Sequence, residues 1–208
     1  MSLALPCAGR TRDVHASLRL HGEGERERER ADVEHFIRAV YAERFAATVR
    51  HFAPCLVSLR DAEGQIVAAA GYRFAGAQSL FLERYLLEPV EAALARHAGA
   101  PASRDRIVEV GHLAARRAGE GRRLILLLGP HLAAQGARWV VSTLTEELRH
   151  LFVRIGVTPL ALGAADPAVL GDEAADWGRY YEHRPVVLAG HLPLALRILA
   201  RRQQERGA

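Results

Sequence analysis

The chain has no lysine, only two cysteines in 208 residues, and an aromatic content of 6%. Without lysine, all 28 basic residues are arginine. Together with abundant alanine this is a chain-wide bias, so no single arginine marks a function, although each offers a planar fork suited to phosphate and carboxylate. The same absence excludes a Walker phosphate loop, whose GxxxxGK[ST] pattern needs the lysine. Cys7 and Cys55 lie far apart and outside any CxxC spacing, which excludes a disulfide framework or a cysteine zinc site. Ten histidines are scattered without HExxH, so the expectation is no metal. No apolar run approaches the ~18 residues that span a bilayer; "LILLLGPHLAA" is short and contains Pro130. The opening "MSLALPCAGR" has few apolar residues and no basic residue ahead of them. A secretory signal places roughly 7–15 apolar residues behind positive charge, so the expected location is cytoplasmic. A formal net charge of +4 gives no electrostatic case for nucleic acid.

What is present fits a single domain over 1–208, half apolar and a quarter charged. Residues 1–13 are expected to be poorly ordered. "HASLRLHG" (15–22) alternates as a first strand. A long helix follows, with Val33, Phe36, Ile37, Val40, Tyr41 and Phe45 on one stripe. The mixed-sign run "ERERER" ahead of that stripe reads as a solvated face. "CLVSLRDAEGQIVAAAGYRFAG" is a hairpin around "AEG". "SLFLERYLLEPVEAALARHAG" ends as a helix, with Pro89 near its start. Strands are expected in "RIVEVGHLA" (106–114), "ARWVVSTLT", "VTPLALGA" and "PVVLAGHL". Helices are expected in "RRLILLLGPHLAAQG", in "EELRHLFVRIG" ending at Gly156, and over 193–208. This alternation predicts an α/β fold with a mixed, mostly antiparallel central sheet flanked by helices.

Between the most apolar strand and an apolar helix lies "HLAARRAGEGRR", residues 112–123. A dinucleotide fingerprint fails here, because Leu124 stands where GxGxxG needs its third glycine. Two readings stay open, a flexible turn and a phosphate cradle. In the cradle, glycines let backbone N–H groups converge, the helix dipole adds partial positive charge, and arginine adds charge-assisted hydrogen bonds.

Arg116-Arg117-Ala118-Gly119-Glu120-Gly121 matches the RxxGxG pattern of the GNAT superfamily of N-acyltransferases. The order of elements is similar to a GNAT fold with an extra helical segment (about 79–98) between the hairpin and the central strand. That insertion is similar to the arrangement in acyl-homoserine-lactone synthases. More specifically, the chain resembles the thermostable hemolysin family of bacterial proteins. The blocks that carry this are "SLFLERYLLEPVE" (79–91), "IVEVGHLAARRAG" (107–119), "LRHLFVRIGVTPLALGAADPAVL" (148–170) and "WGRYYEHRPVVLAG" (177–190). They cover roughly residues 14–191. The resemblance implies a GNAT-like fold and acyl-coenzyme A or acetyl-coenzyme A as co-substrate, bound by Leu113, Ala114, Arg116, Ala118, Gly119, Glu120, Gly121 and Arg122. An amine acceptor is implied, and an acyl carrier protein is an alternative donor. Two departures stand out. His112 replaces the asparagine of the family's VExGNLA block. Phe152, four residues before Gly156, stands where many GNAT enzymes have the tyrosine that protonates the leaving thiolate.

Four residues are catalytic candidates, each with a plainer alternative. Glu109, in "IVEVG", is either a general base or the partner of an arginine. Glu83, in "FLERYL", lines the acceptor pocket or pairs with an arginine. His112 is three residues beyond Glu109, so a regular strand sends the two to opposite faces and only a bulge would reunite them; otherwise it is structural. Tyr181, beside Trp177 and Tyr180, either replaces the missing acid or anchors a loop. The C-terminal helix, with Leu194, Ile198, Arg197, Arg201 and Arg202, packs on its own domain or touches anionic lipid peripherally. The expected function is acyl transfer to an amine. The alternative is a membrane-active or lipid-binding protein of the hemolysin type, without acyltransferase activity.

Overall fold

In the computed structural model, residues 18–21, 27–99 and 101–207 are described. The expectation for residues 1–13, Cys7 and the outer residues of the first strand lie outside them. Strand β1 (Leu18–His21) leads into helix α1 (Glu27–Phe45) and the hairpin of β2 (Cys55–Arg60) and β3 (Ile66–Phe74). The extra segment is a 3-10 turn over Phe81–Tyr85 followed by α2 (Val90–Ala98). Then come β4 (Ile107–Ala115), α3 (Ala118–Ala134), β5 (Trp139–Leu144), α4 (Glu146–Ile155), β6 (Leu160–Ala164), β7 (Val186–His191) and α5 (Leu192–Gly207).

The strands form one mixed sheet in the order β1-β2-β3-β4-β5-β7-β6. Among the described residues only β4 and β5 pair in parallel; the other five pairings are antiparallel. The expected fold class is the observed one.

Alternation along each strand builds two cores. Leu56, Ala69 and Ala114 face α1, and all six residues of the α1 stripe are buried against them and their neighbours. Val57, Leu59, Ala68, Ala70, Val108 and Val110 face the other way. There they meet Leu124, Leu128 and Leu132 of α3, spaced four apart on one helical stripe. Leu192 and Leu196 of α5 lean on this second layer, whereas Leu194 is exposed. The extra segment covers the far part of the α1 side, where Leu82, Val90 and Leu94 bury Ile107, Val141 and Val187.

Two irregularities in β4 position the site. Its pairing with β5 is limited to Ile107–Trp139, Val108–Val140 and Glu109–Val141; beyond Glu109 the strands part. On the opposite edge, Gly111 pairs with Gly71 and Ala114 with Ala69, so two residues of β4 oppose Ala70 alone. This is a β-bulge, with His112 at φ 52. Gly71 makes room for it: a Cβ there would lie 2.9 Å from the Ala53 Cβ and 3.0 Å from His112 Nδ1.

Candidate functional site at the parting of β4 and β5

A cavity of about 610 Å³ opens where β4 and β5 part. Its walls include Glu109, Gly111 and His112 of β4, Thr143 of β5, and Arg116, Arg117 and Gly121 at the start of α3. Helix α1 contributes Tyr41 and Phe45, the extra segment Phe81, Arg84 and Tyr85, and the connection before β7 Trp177 and Tyr180.

At one end of the cavity, α3 begins at Ala118, four residues before the expected "RRLILLLGPHLAAQG". Gly119 and Gly121 therefore sit in the first helical turn rather than in a loop ahead of it. Glu120 and Gly121 N–H both donate to Arg117 O, which leaves the earliest N–H groups of the helix directed outward. A Cβ on Gly121 would be 3.3 Å from that of Ala115, so glycine permits close helix–strand approach; a Cβ on Gly119 would meet nothing within 4 Å. Arg116 lies 5.8 Å over the Phe36 ring, and among the described residues it has no carboxylate partner. Of the eight residues expected at a coenzyme site, Leu113, Ala114, Arg116 and Gly121 line the cavity. Gly119, Glu120 and Arg122 are on the same helical turn but not on the cavity wall, and Ala118 opens that turn.

Glu109 is opposite Arg73 on β3, a cross-strand pair 3.3 Å apart. Its carboxylate also accepts from Phe81 N–H (2.9 Å) and Leu82 N–H (3.0 Å). These bonds pin the extra segment to the sheet. Burial raises its pKa, and the two N–H groups and Arg73 only partly offset this. The bulge brings His112 to the same cavity as Glu109, against the regular-strand parity. His112 Nε2 lies 3.1 Å from His51 O, which requires that nitrogen to carry the proton. Its Nδ1 is buried without a partner, as is Thr143 Oγ1. Burial, reinforced by Arg73, lowers the His112 pKa to about 4, so the ring is neutral at pH 7.

Glu83 and Tyr181 lie behind the wall. Both oxygens of Glu83 are engaged: by Leu80 N–H (2.8 Å), Val90 N–H (3.0 Å), and Arg104 Nη1 (2.7 Å) and Nη2 (2.8 Å). The Arg104 hydrogen bonds hold its pKa down at about 2. The arginine partner is the observed one, and Glu83 is absent from the cavity wall. Tyr181 also stands off the wall, its hydroxyl 2.5 Å from that of Tyr85, which does line it. Burial raises both phenols above their usual range, so both stay protonated. Tyr180 donates to Thr143 O at 3.1 Å. It packs with Tyr41, Phe45 and Trp177 in an aromatic cluster that closes one wall.

Sequence reasoning missed Tyr85 and Arg73. Tyr85 is inside the "FLERYL" block, two residues beyond Glu83, but no periodicity separates a cavity-facing residue from a buried one in a 3-10 turn. Among the described residues no helix is long and apolar enough to cross a membrane. Nor do three His, Cys, Asp or Glu residues gather as metal ligands among them.

A mixed sheet whose parallel central strands part over a glycine-bearing helix start defines a GNAT-like domain. Solved structures share that fold at low identity. The N-acyl amino acid synthase FeeM, from uncultured soil microbes, aligns at 14% identity and TM-score 0.59, covering 86% of this chain and 91% of its own. The acyl-homoserine-lactone synthase LasI aligns at 16% and 0.58, covering 88% and 94%. The coenzyme A-dependent acyl-homoserine-lactone synthase BjaI, solved with SAM and isopentyl-CoA, aligns at 13% and 0.60, covering 90% and 89%. No curated protein matches the chain. The thermostable hemolysin family matches residues 23–196, and the chain belongs to it.

Proposed function

We propose that the protein is an N-acyltransferase that moves an acyl group from acyl-coenzyme A, or from an acyl carrier protein, to an amine. The observation that carries this reading is the cavity itself, which runs from the parting of β4 and β5 to the first turn of α3. The helix start offers N–H groups, a positive dipole end and Arg116 to a pyrophosphate. The unpartnered Thr143 Oγ1 and His112 Nδ1 are buried polar atoms that a ligand would satisfy.

In the proposed reaction the amine nitrogen attacks the thioester carbonyl carbon. An N–C bond forms, the C–S bond breaks, and the amine proton leaves. Glu109, made more basic by burial, takes that proton directly or through one water. His112, neutral at pH 7, orients the acceptor through its Nδ1 lone pair. The proton that Glu109 takes passes to the leaving sulfur, which Tyr85, its hydroxyl held by Tyr181, steadies with a hydrogen bond from the side that Phe152 cannot serve. Glu83 acts only by holding the extra segment in place.

The test is release of coenzyme A thiol from acyl-coenzyme A, followed with a panel of amines. Amine-dependent release that falls in Glu109→Gln supports the reading. Binding of acyl-coenzyme A with no turnover on any amine, or release that does not need the amine, argues against it.

A further inference from the structure

A second cavity, of about 100 Å³, lies on the other side of the sheet. Leu144, Phe152, Ile155, Leu188, Leu196 and Leu199 wall it, and no charged side chain does. It is bordered by β4, β5, β7, α3, α4 and α5. Three residues belong to both cavities: Val110 and Leu113 of β4 and Ile125 of α3. The faces of β5 show how the cavities relate. Thr143 lines the first, and its neighbours Ser142 and Leu144 line the second. Successive strand residues point to opposite faces, so the cavities are on opposite faces of the sheet. Their shared wall lies where β4 and β5 no longer pair, beyond Glu109 and Val141.

We infer that the second cavity takes the hydrocarbon tail of the donor, which crosses the sheet through the gap between β4 and β5. This rests on the acyl-transfer reading and narrows it: the donor is a fatty acyl thioester rather than an acetyl one. The thioester stays on the side of Thr143 and Glu109, and the methylenes pass Val110 and Leu113 to lie among leucines. Such a route needs a gap in the sheet, an apolar end and walls shared by both chambers. All three are present. It also accounts for Phe152. A tyrosine there would put a hydroxyl against an apolar wall without a partner, whereas phenylalanine completes the wall.

The test is titration of the whole chain with coenzyme A and with a series from acetyl- to dodecanoyl-coenzyme A. Each methylene that enters the cavity should tighten binding about threefold to fourfold, until the cavity is full. Ala195 and Leu199 of α5 line the cavity from outside the sheet, and Ala195→Trp and Leu199→Trp fill it. Either variant should flatten the series at a shorter chain while still binding coenzyme A, which has no tail; that retained binding also reports that the variant is folded. Decanoyl-coenzyme A binding no tighter than acetyl-coenzyme A would overturn the tail site and leave the acyltransferase reading standing. So would a chain-length series unchanged in both variants. Failure of coenzyme A and all its thioesters to bind would overturn both.

Discussion

Replacing Glu83 with glutamine separates a chemical role from a structural one. The two carboxylate oxygens accept four hydrogen bonds, two from backbone N–H groups and two from Arg104. An amide keeps one oxygen and sets an NH2 against two donors, so two bonds are lost whichever way it turns. Hydrogen bonds to a charged group contribute about 1.5–3 kcal/mol each, but solvent screens this partly exposed pair. A second route starts from the pKa, held down from 4.5 to about 2. At ~1.4 kcal/mol per unit this sets a ceiling of roughly 3 kcal/mol, reduced by the same screening. Both routes lead to a loss of about 2 kcal/mol for Glu83→Gln at pH 7. Because the folded pKa lies below the unfolded one, this stability is present above 4.5 and disappears as pH falls toward 2. Urea midpoints should therefore differ at pH 7 and converge across that window. Turnover of the folded variant should stay within a few-fold of the parent. An unchanged urea midpoint with turnover abolished would return Glu83 to the chemistry.

Three further predictions follow from the same geometry. Glu109→Gln should lower kcat about 100-fold or more, and in the parent, activity should fall as pH drops through a pKa above the usual glutamate range; an acid limb unchanged in Glu109→Gln would remove Glu109 from that role. Phe152→Tyr, measured by thiol release, should not raise turnover and should weaken long-chain donors, because its hydroxyl enters an apolar wall; a rise would show that the place still serves as an acid position. Gly71→Ala should cost about 1–3 kcal/mol by urea denaturation, since its Cβ would press on Ala53 and His112; no loss would mean that the bulge is not constrained from β3.

The sequence made α1 legible because Val33, Phe36, Ile37, Val40, Tyr41 and Phe45 follow one local period, and all six are buried. The hairpin and β4 were readable for the same reason. The start of α3 was not, because glycine disfavours helix interiors and the "RAGEG" stretch reads as a loop; packing of Leu124, Leu128 and Leu132 on the sheet and the close approach of Gly121 to Ala115 outweigh that propensity. The β4 bulge was not readable either. Its cause, Gly71, is on another strand, and only pairing brings it against His112. In the same way Glu83 meets Arg104, Glu109 meets Arg73, and Tyr85 meets Tyr181 across 21, 36 and 96 residues. Such partners are set by the fold as a whole, so the residue types at the site could be named from sequence while their roles could not.

Calorimetric titration with coenzyme A reads the proposed coenzyme site at the first turn of α3 without relying on an acceptor. Gly119 faces open space, so Gly119→Trp should leave the fold intact while covering the helix start. Gly121→Val forces α3 away from Ala115. The parent should bind coenzyme A saturably, and Gly119→Trp should lose that binding with an unchanged urea midpoint. No binding by the parent, or equal binding by Gly119→Trp and Gly121→Val, would contradict the proposed site.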